Sequence, residues 1–294
     1  MAGAGILTAY LLVLRTGSCT WDKPLFRRLG MGNNMTTFHE LHHTDAPLLL
    51  PNAWDVGSAL AFANAGFPAV GTTSFGIAAS AGYPDGYRSS KQATAALVTQ
   101  LVRLPIHLTV DIEDGYSDDP VEVAEFVATL AGLGVAGINL EDSRSGHLVD
   151  PATAASKIAA IKHRSPDVFI NARVDNLWFA EDPSVDAVLR RAHTYADSGA
   201  DGIFVPGITV QDIPRITAGI LLPVNVLAHP TMTVTELGKL GVRRVSSGSL
   251  PYRAAVDAAV GIANALRGNK PLPAATPYWE MQSHLVTFRQ GISD

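Results

Sequence analysis

Two acidic residues at alternate positions, Asp111 and Glu113, open the segment Asp111-Ile112-Glu113-Asp114-Gly115-Tyr116. The apolar run Leu108 to Val110 precedes them, so they fall at the end of a buried strand, where alternate side chains share one face. Two carboxylates converging in a closed rim repel unless one is protonated or a cation lies between them. Glu141 also ends an apolar run, and Asp85 lies in the loop after the second one. Together the four acids suit a hard divalent ion, Mg2+ or Mn2+, held by oxygen and water. The alternative is that Asp111 and Glu113 merely cap the following helix. Asp114 reads as an ordinary loop acid. Asp142 either supports the ligands or complements a helix N-terminus.

Arg173 ends the apolar stretch that begins at Val168. A guanidinium there must be paired, and its planar fork suits a substrate carboxylate. A salt bridge to Glu141 or Glu113 alone is the structural alternative. Ser74-Phe75-Gly76 could offer a hydroxyl and backbone N–H groups to an oxyanion. Further polar strand-end positions are Asn52, Asp55, Asn225 and Ser247, with Pro206 among them. Of the histidines, His107, His163 and His193 read as packing or surface groups. His147 differs because it lies in the loop after Glu141, and His229 follows a strand.

The elements that position these residues repeat one unit: an apolar run, a turn, then a helical stretch. The runs are Leu48–Leu50, Ala69–Gly71, Leu108–Val110, Gly137–Leu140, Phe169–Ala172, Gly202–Val205, Val224–Leu227 and Val242–Val245. Short, poorly alternating runs predict strands buried on both faces of a parallel sheet. Asp119-Pro120, Asp150-Pro151 and Asp182-Pro183 place an N-cap acid before proline. Thr233 and Glu236 make a capping box. Gly66, Gly134, Gly199 and Gly241 stand where left-handed helix ends are wanted. Eight units predict a (β/α)8 TIM barrel over residues 36–270. No G-x-G-x-x-G follows the first run, which argues against an open dinucleotide-binding sheet. Thr37 to Glu40 should start a short helix closing the lower end.

The chain has 294 residues, 47% hydrophobic and 17% charged, enough for one large core. Its formal charge is −5 with no basic stripe, which makes nucleic acid a poor partner. A single cysteine, Cys19, excludes a disulfide framework and fits a reducing cytoplasm. Ile6 to Leu14 is apolar but too short to span a bilayer, so no membrane partner is expected. Residues 1–35 read as a disordered extension. Residues 271–294, apolar from Tyr278 to Phe288 after a proline-rich hinge, should dock on a partner subunit.

In barrels of this kind chemistry sits at the C-terminal strand ends. The matching segments there are Pro51 to Ala59, Gly71-Thr-Thr-Ser74-Phe75-Gly76, Gly82-Tyr-Pro-Asp85-Gly86, Asp111 to Tyr116, Gly137-Ile-Asn139-Leu-Glu141-Asp142-Ser143 and Asn171-Ala-Arg173. Over roughly residues 36 to 270 this ordered set resembles the isocitrate lyase and phosphoenolpyruvate mutase superfamily. The resemblance implies a Mg2+-dependent barrel with its last helix swapped between subunits, usually in a tetramer; a homo-oligomer, dimer or tetramer, is expected. It implies that Asp85, Asp111, Glu113 and Glu141 hold the metal, directly or through water. The substrate set is then Ser74, Phe75, Gly76, Asp85, Asn139, Arg173, Asn225 and Ser247, with Arg173 and Glu141 also catalytic. The shared chemistry is cleavage or formation of a C–C or C–P bond in a small 2-oxo or 2-hydroxy carboxylate, through a metal-stabilised enolate.

The departures are as informative. Lyases of the superfamily carry Lys-Lys/Arg-Cys-Gly-His in the loop after the Glu-Asp pair. This chain has Ser143-Arg144-Ser145-Gly146-His147, shorter and without cysteine. The lysine- and asparagine-containing loop of the mutases is also absent. Lyase, decarboxylase, hydrolase and C–P activities therefore stay open, as does a metabolite-binding barrel without turnover. Ser145 stands nearest the lyase cysteine, but a serine hydroxyl is a weak acid, so His147 is expected to supply the proton and Ser145 to position the loop. A solvent-exposed loop histidine is the alternative.

Overall fold

The stretch Leu48 to Ala53 is extended throughout but broken by Pro51, whose ring nitrogen cannot donate to a ladder. It forms β1 (Leu48–Leu50) and β2 (Asn52–Ala53), and the two halves pair on opposite sides. In this computed structural model, which describes residues 36–290, the remaining staves are β3 (Ala69–Thr72), β4 (His107–Asp111) and β5 (Gly137–Glu141). After a small hairpin of β6 (Ser143–Arg144) and β7 (His147–Leu148) come β8 (Phe169–Arg173), β9 (Gly202–Phe204), β10 (Val224–Leu227) and β11 (Val242–Ser246). The order is β1-β11-β10-β9-β8-β5-β4-β3-β2, parallel throughout. Because β1 and β2 are one stretch, the nine assigned strands make eight staves of a closed barrel, the TIM barrel the repeat predicts.

Between the staves run α1 (Val56–Asn64), α2 (Ser74–Ser80), α3 (Lys91–Leu101), α4 (Pro120–Leu133), α5 (Pro151–Arg164) and the single turn α6 (Asn176–Phe179). They are followed by α7 (Val185–Asp197), α8 (Ile213–Gly219), α9 (Val234–Lys239), α10 (Leu250–Arg267) and α11 (Tyr278–Gln290). Asp119 and Asp150 accept from Val121 and Ala152 N–H, each before a proline at the first turn. Thr233 and Glu236 complete their capping box. Asp182 does not cap α7; Ser184, two residues on, accepts from Ala187 N–H instead.

Two apolar clusters fill the molecule. The larger packs strands against the helical ring, through residues such as Val110, Ile138, Ile170, Ile203 and Val245. The smaller comprises Phe38, Leu48, Leu50, Ala69 and Phe169, with His42 stacked on Phe169 at 4.1 Å. Here the expected short helix is a 3-10 turn, Glu40–His42. The middle of the barrel is polar, with Thr109, Asn139, Asn171 and Arg244 all buried. Those polar residues lead upward to the site.

None of the residues of α10 is buried, although Val256, Val260 and Leu266 are apolar. Of α11 only Phe288 is buried. The expectation for residues 1–35 lies outside the described residues. Among the described residues no helix is long and apolar enough to cross a membrane.

Candidate active site

Beyond Asp111 the chain turns through three residues in the left-handed region, Glu113 (φ 50°), Gly115 (φ 92°) and Tyr116 (φ 63°). Gly115 is required twice over, since a Cβ there would lie 2.7 Å from Val123 Cγ1. The turn separates the two acids that strand geometry alone would align. Asp111 Oδ2 accepts from Ser74 N–H at 3.2 Å and stays at the rim. The Glu113 carboxylate is buried and occupied: Oε1 accepts from Ser90 Oγ and Oε2 from Arg88 N–H at 2.8 Å. Burial raises the Glu113 pKa, and the Ser90 bond offsets part of that rise.

Above the strand ends lies a cavity of about 120 Å³. Asp85, Asp111, Ser74, Asn139 and Arg173 supply its polar lining, with Asn52, Ser246 and Ser249. Phe75, Trp178, Phe204, Pro206 and Leu227 form an apolar wall. Burial, then the Asp111 charge, raises the Asp85 pKa. A larger hollow of about 370 Å³, around Ile77, Tyr83 and Gln92, has no charged lining residue and offers no comparable chemistry.

Arg173 faces this cavity from the end of β8. Its Nη1 donates to Glu141 Oε1, and its Nε to Asp175 Oδ1 at 2.5 Å. The rings of Trp178 and Phe204 each lie 5.7 Å from the guanidinium carbon, which confines it further. Burial opposes the charge of Arg173, but Asp175 and Glu141 outweigh it and its pKa lies above the ordinary value. Burial pushes Glu141 upward, with Arg173 opposing. Asp175 is itself held: Ser143 Oγ donates to its Oδ2, and its N–H donates to Asp142 Oδ1 at 2.8 Å. Asp142 also accepts from Tyr195 Oη and Arg191 Nη1, so it serves as scaffold behind Arg173. Burial first, then the charge of Asp175, pushes Asp142 up to about 6.

Several sequence assignments move. Ser145 (φ 51°) and Gly146 (φ 85°) make the tight turn of the β6–β7 hairpin, which leaves Ser145 and His147 exposed and outside the cavity lining. His147 Nδ1 lies 2.7 Å from Glu181 Oε1, a surface pair. The Ser145 N–H donates to Gly86 O, tying the hairpin to the loop that carries Asp85. Ser247 exchanges hydrogen bonds with Asn52 across the barrel seam, and Ser246 takes the lining position instead. Gly76 lies behind the lining, where a Cβ would meet Trp54 Cβ at 2.8 Å. Asn225 is buried beneath the cavity. Asp114 is no loop acid: it is buried and binds the Arg88 fork, with Lys157 Nζ 3.6 Å away. Arg88, Asp175, Trp178 and Arg244 carry no local motif, and only three-dimensional packing reveals them.

Among the described residues no three acidic or imidazole side chains converge closely enough to hold an ion between them. Asp85 and Asp111 are the two carboxylates on the cavity, with Glu113 and Glu141 outside its lining. Magnesium commonly takes one or two carboxylates and keeps several waters, so this donor set fits a hydrated hard cation better than a closed protein cage.

A closed parallel barrel with carboxylates and an arginine at its C-terminal rim defines an enzyme-type TIM barrel. The chain belongs to the phosphoenolpyruvate phosphomutase family, whose model matches residues 38–267. An uncharacterized protein of Mycobacterium tuberculosis (strain ATCC 25618 / H37Rv) is 48% identical over 87% of this chain and 99% of its own. A 2-methylisocitrate lyase of Halalkalibacterium halodurans is 30% identical, over 69% of this chain and 68% of its own length. Among solved structures, a phosphonopyruvate hydrolase in complex with oxalate and Mg2+ superposes with a TM-score of 0.74. That likeness covers 85% of this chain and 94% of the other at 23% identity, and it speaks for the fold.

Proposed function

We propose that this protein is a Mg2+- or Mn2+-dependent lyase that cleaves or forms a C–C bond in a small 2-hydroxy or 2-oxo carboxylate. The observation that carries the reading is the placement of Arg173 and the Asp85–Asp111 pair around one small cavity. Arg173 has donors beyond those given to Glu141 and Asp175, and they suit a substrate carboxylate. Ser74 and Asn139 add neutral polar groups that orient a second oxygen. Phe75, Trp178 and Phe204 give the cavity an apolar side against which the carbon chain of a substrate would pack. A divalent ion bound beside Asp85 and Asp111 would supply Lewis-acid stabilisation of a developing enolate.

The same proposal includes assembly. Apart from Phe288, the apolar residues of α10 and α11 are not buried by their own barrel, which suits burial against a second copy of the chain. A homo-oligomer, dimer or tetramer, is the expected state.

The test is a panel of 2-hydroxy and 2-oxo diacids incubated with Mg2+ and read by the appearance of a smaller oxoacid. Phosphonopyruvate belongs in the same panel, followed by ³¹P NMR, because a phosphonopyruvate hydrolase is among the solved structures this barrel resembles. Oxoacid release from a C–C substrate supports the lyase reading; turnover of phosphonopyruvate alone replaces it with the C–P one.

A further inference from the structure

Arg244 projects from β11 into the barrel below the cavity and is fully buried. No carboxylate among the described residues hydrogen-bonds to it. Its Nη2 donates to Asn139 Oδ1 at 3.1 Å and its Nε to Ser246 Oγ at 3.2 Å, both neutral oxygens on residues that line the cavity. Its Nη1 has no partner. Burying a guanidinium on neutral acceptors is costly, and burial pulls its pKa down to about 9 while the Asp111 charge opposes. A cation kept there at that cost needs a reason other than packing.

The reason follows from donor chemistry. Arginine has only donors, so any atom facing it must accept. Asn139 must therefore turn its oxygen toward Arg244, and the same oxygen accepts from Asn171 Nδ2 at 2.8 Å. The Asn139 amide nitrogen is then forced to the other side, where no protein acceptor meets it among the described residues. Ser246 likewise must accept from Arg244, which sends its own proton to Asn225 Oδ1 at 3.2 Å. Asn225 is left with a buried amide nitrogen that has no partner. One donor-only side chain thus sets the direction of the network and leaves two amide N–H groups unspent.

We propose that Arg244 is a positioning residue that fixes the amide orientations of Asn139 and Asn225 and so presents the Asn139 amide, which lines the cavity, as a hydrogen-bond donor toward an anionic oxygen of the substrate. The proposal deepens the reading of the cavity as a carboxylate site and rests on it for the identity of that oxygen. The orientation itself does not depend on any ligand.

Two measurements separate the two ideas. In protein labelled with ¹⁵N at asparagine, the side-chain amide signals of residues 139 and 225 are identified by their loss in Asn139→Ala and Asn225→Ala. Arg244→Met should shift or broaden both signals, and Arg244→Lys, still donor-only, should keep them near their original positions. Oxalate titrated calorimetrically in excess Mg2+ should bind Arg244→Met about tenfold more weakly, with Arg244→Lys recovering most of the loss. Adding Asn139→Ala to Arg244→Met should cost little more, since both remove the same donor. Thermal melting checks folding, and Arg244→Gln replaces the methionine variant if that one does not fold. Unmoved amide signals, or fully additive losses, overturn the positioning role. If the amide signals move as expected but the unaltered protein binds no oxalate, the carboxylate-site reading fails and the positioning role stands.

Discussion

The backbone N–H of Arg88 donates to Glu113 Oε2 at 2.8 Å, joining the loop that carries Asp85 to the turn that follows Asp111. The Arg88 side chain completes the join by forking onto Asp114. The two cavity carboxylates thus sit on segments stapled together by residues that do not line the cavity. Glu113→Ala would leave the Ser90 hydroxyl and the Arg88 N–H without their buried acceptor, at a cost of about 1–3 kcal/mol. The expected outcome is a lowered urea midpoint and a higher Mg2+ concentration for half-maximal oxalate binding. An unchanged midpoint would show that the join is not needed.

Arg173 should not tolerate its commonest substitute. Lysine is a point donor and cannot serve Glu141, Asp175 and a substrate carboxylate together, so Arg173→Lys should cost roughly 2–4 kcal/mol in kcat/KM. Steady-state kinetics with the substrate found by the diacid panel measures this. A value within a factor of two of the original assigns Arg173 to structure alone.

The hairpin makes the opposite prediction. With Ser145 and His147 exposed, His147→Gln and Ser145→Ala should each leave kcat within about threefold of the original. Loss of one limb of the pH–rate profile in His147→Gln would restore the histidine to the chemistry.

His42 gives a pH dependence of stability. Burial, then the charge of Arg244, pushes its pKa down to about 3 from 6.5, while a bond from its ring to Phe38 O works the other way. A histidine depressed on folding binds fewer protons in the native than in the unfolded state between those values. Stability should therefore rise with pH from about 3 to 6.5, by up to about 5 kcal/mol from this residue, and be fully present above 6.5. Urea unfolding of the protein and of His42→Gln at pH 4.5 and 7.5 should show a smaller difference between the two pH values in the variant. Equal differences would place the titration elsewhere.

Assembly is tested by length. The intact protein should be an oligomer by light scattering, and a chain ending at Lys270, without α11, should be smaller in subunit number. A monomeric intact protein would contradict the reading of the uncovered helices.

Much of this arrangement was legible because it is local. Asp111 and Arg173 could be placed from the apolar runs before them, and Asp119 and Asp150 from the prolines after them. What was hidden is long-range or turns on a single residue. Ser246 and Ser247 differ by one position, yet one lines the cavity and the other bonds to Asn52. Asp142 could not be assigned because its partners Asp175, Arg191 and Tyr195 lie 33 to 53 residues away. Glu113 misled for a backbone reason: its left-handed φ breaks the alternation that would have aligned it with Asp111.

The seam at Pro51 bears on how the molecule comes into being. Asn52 Oδ1 accepts a hydrogen bond from Gly248 N–H, and Asn52 exchanges bonds with Ser247, joining residues 195 and 196 positions apart. Contacts of such separation form late, because the entropy of closing so long a loop must be met before they return anything. Until β11 arrives, β1 and β10 present unpaired parallel edges, the kind of surface on which one unfinished chain can pair with another. A nascent chain released before about residue 248 therefore holds most of its staves and all of the cavity acids, yet lacks the seam that finishes the ring. Asn52 accordingly stands where the ring closes as well as on the cavity lining: its replacement by alanine should slow refolding and raise its concentration dependence.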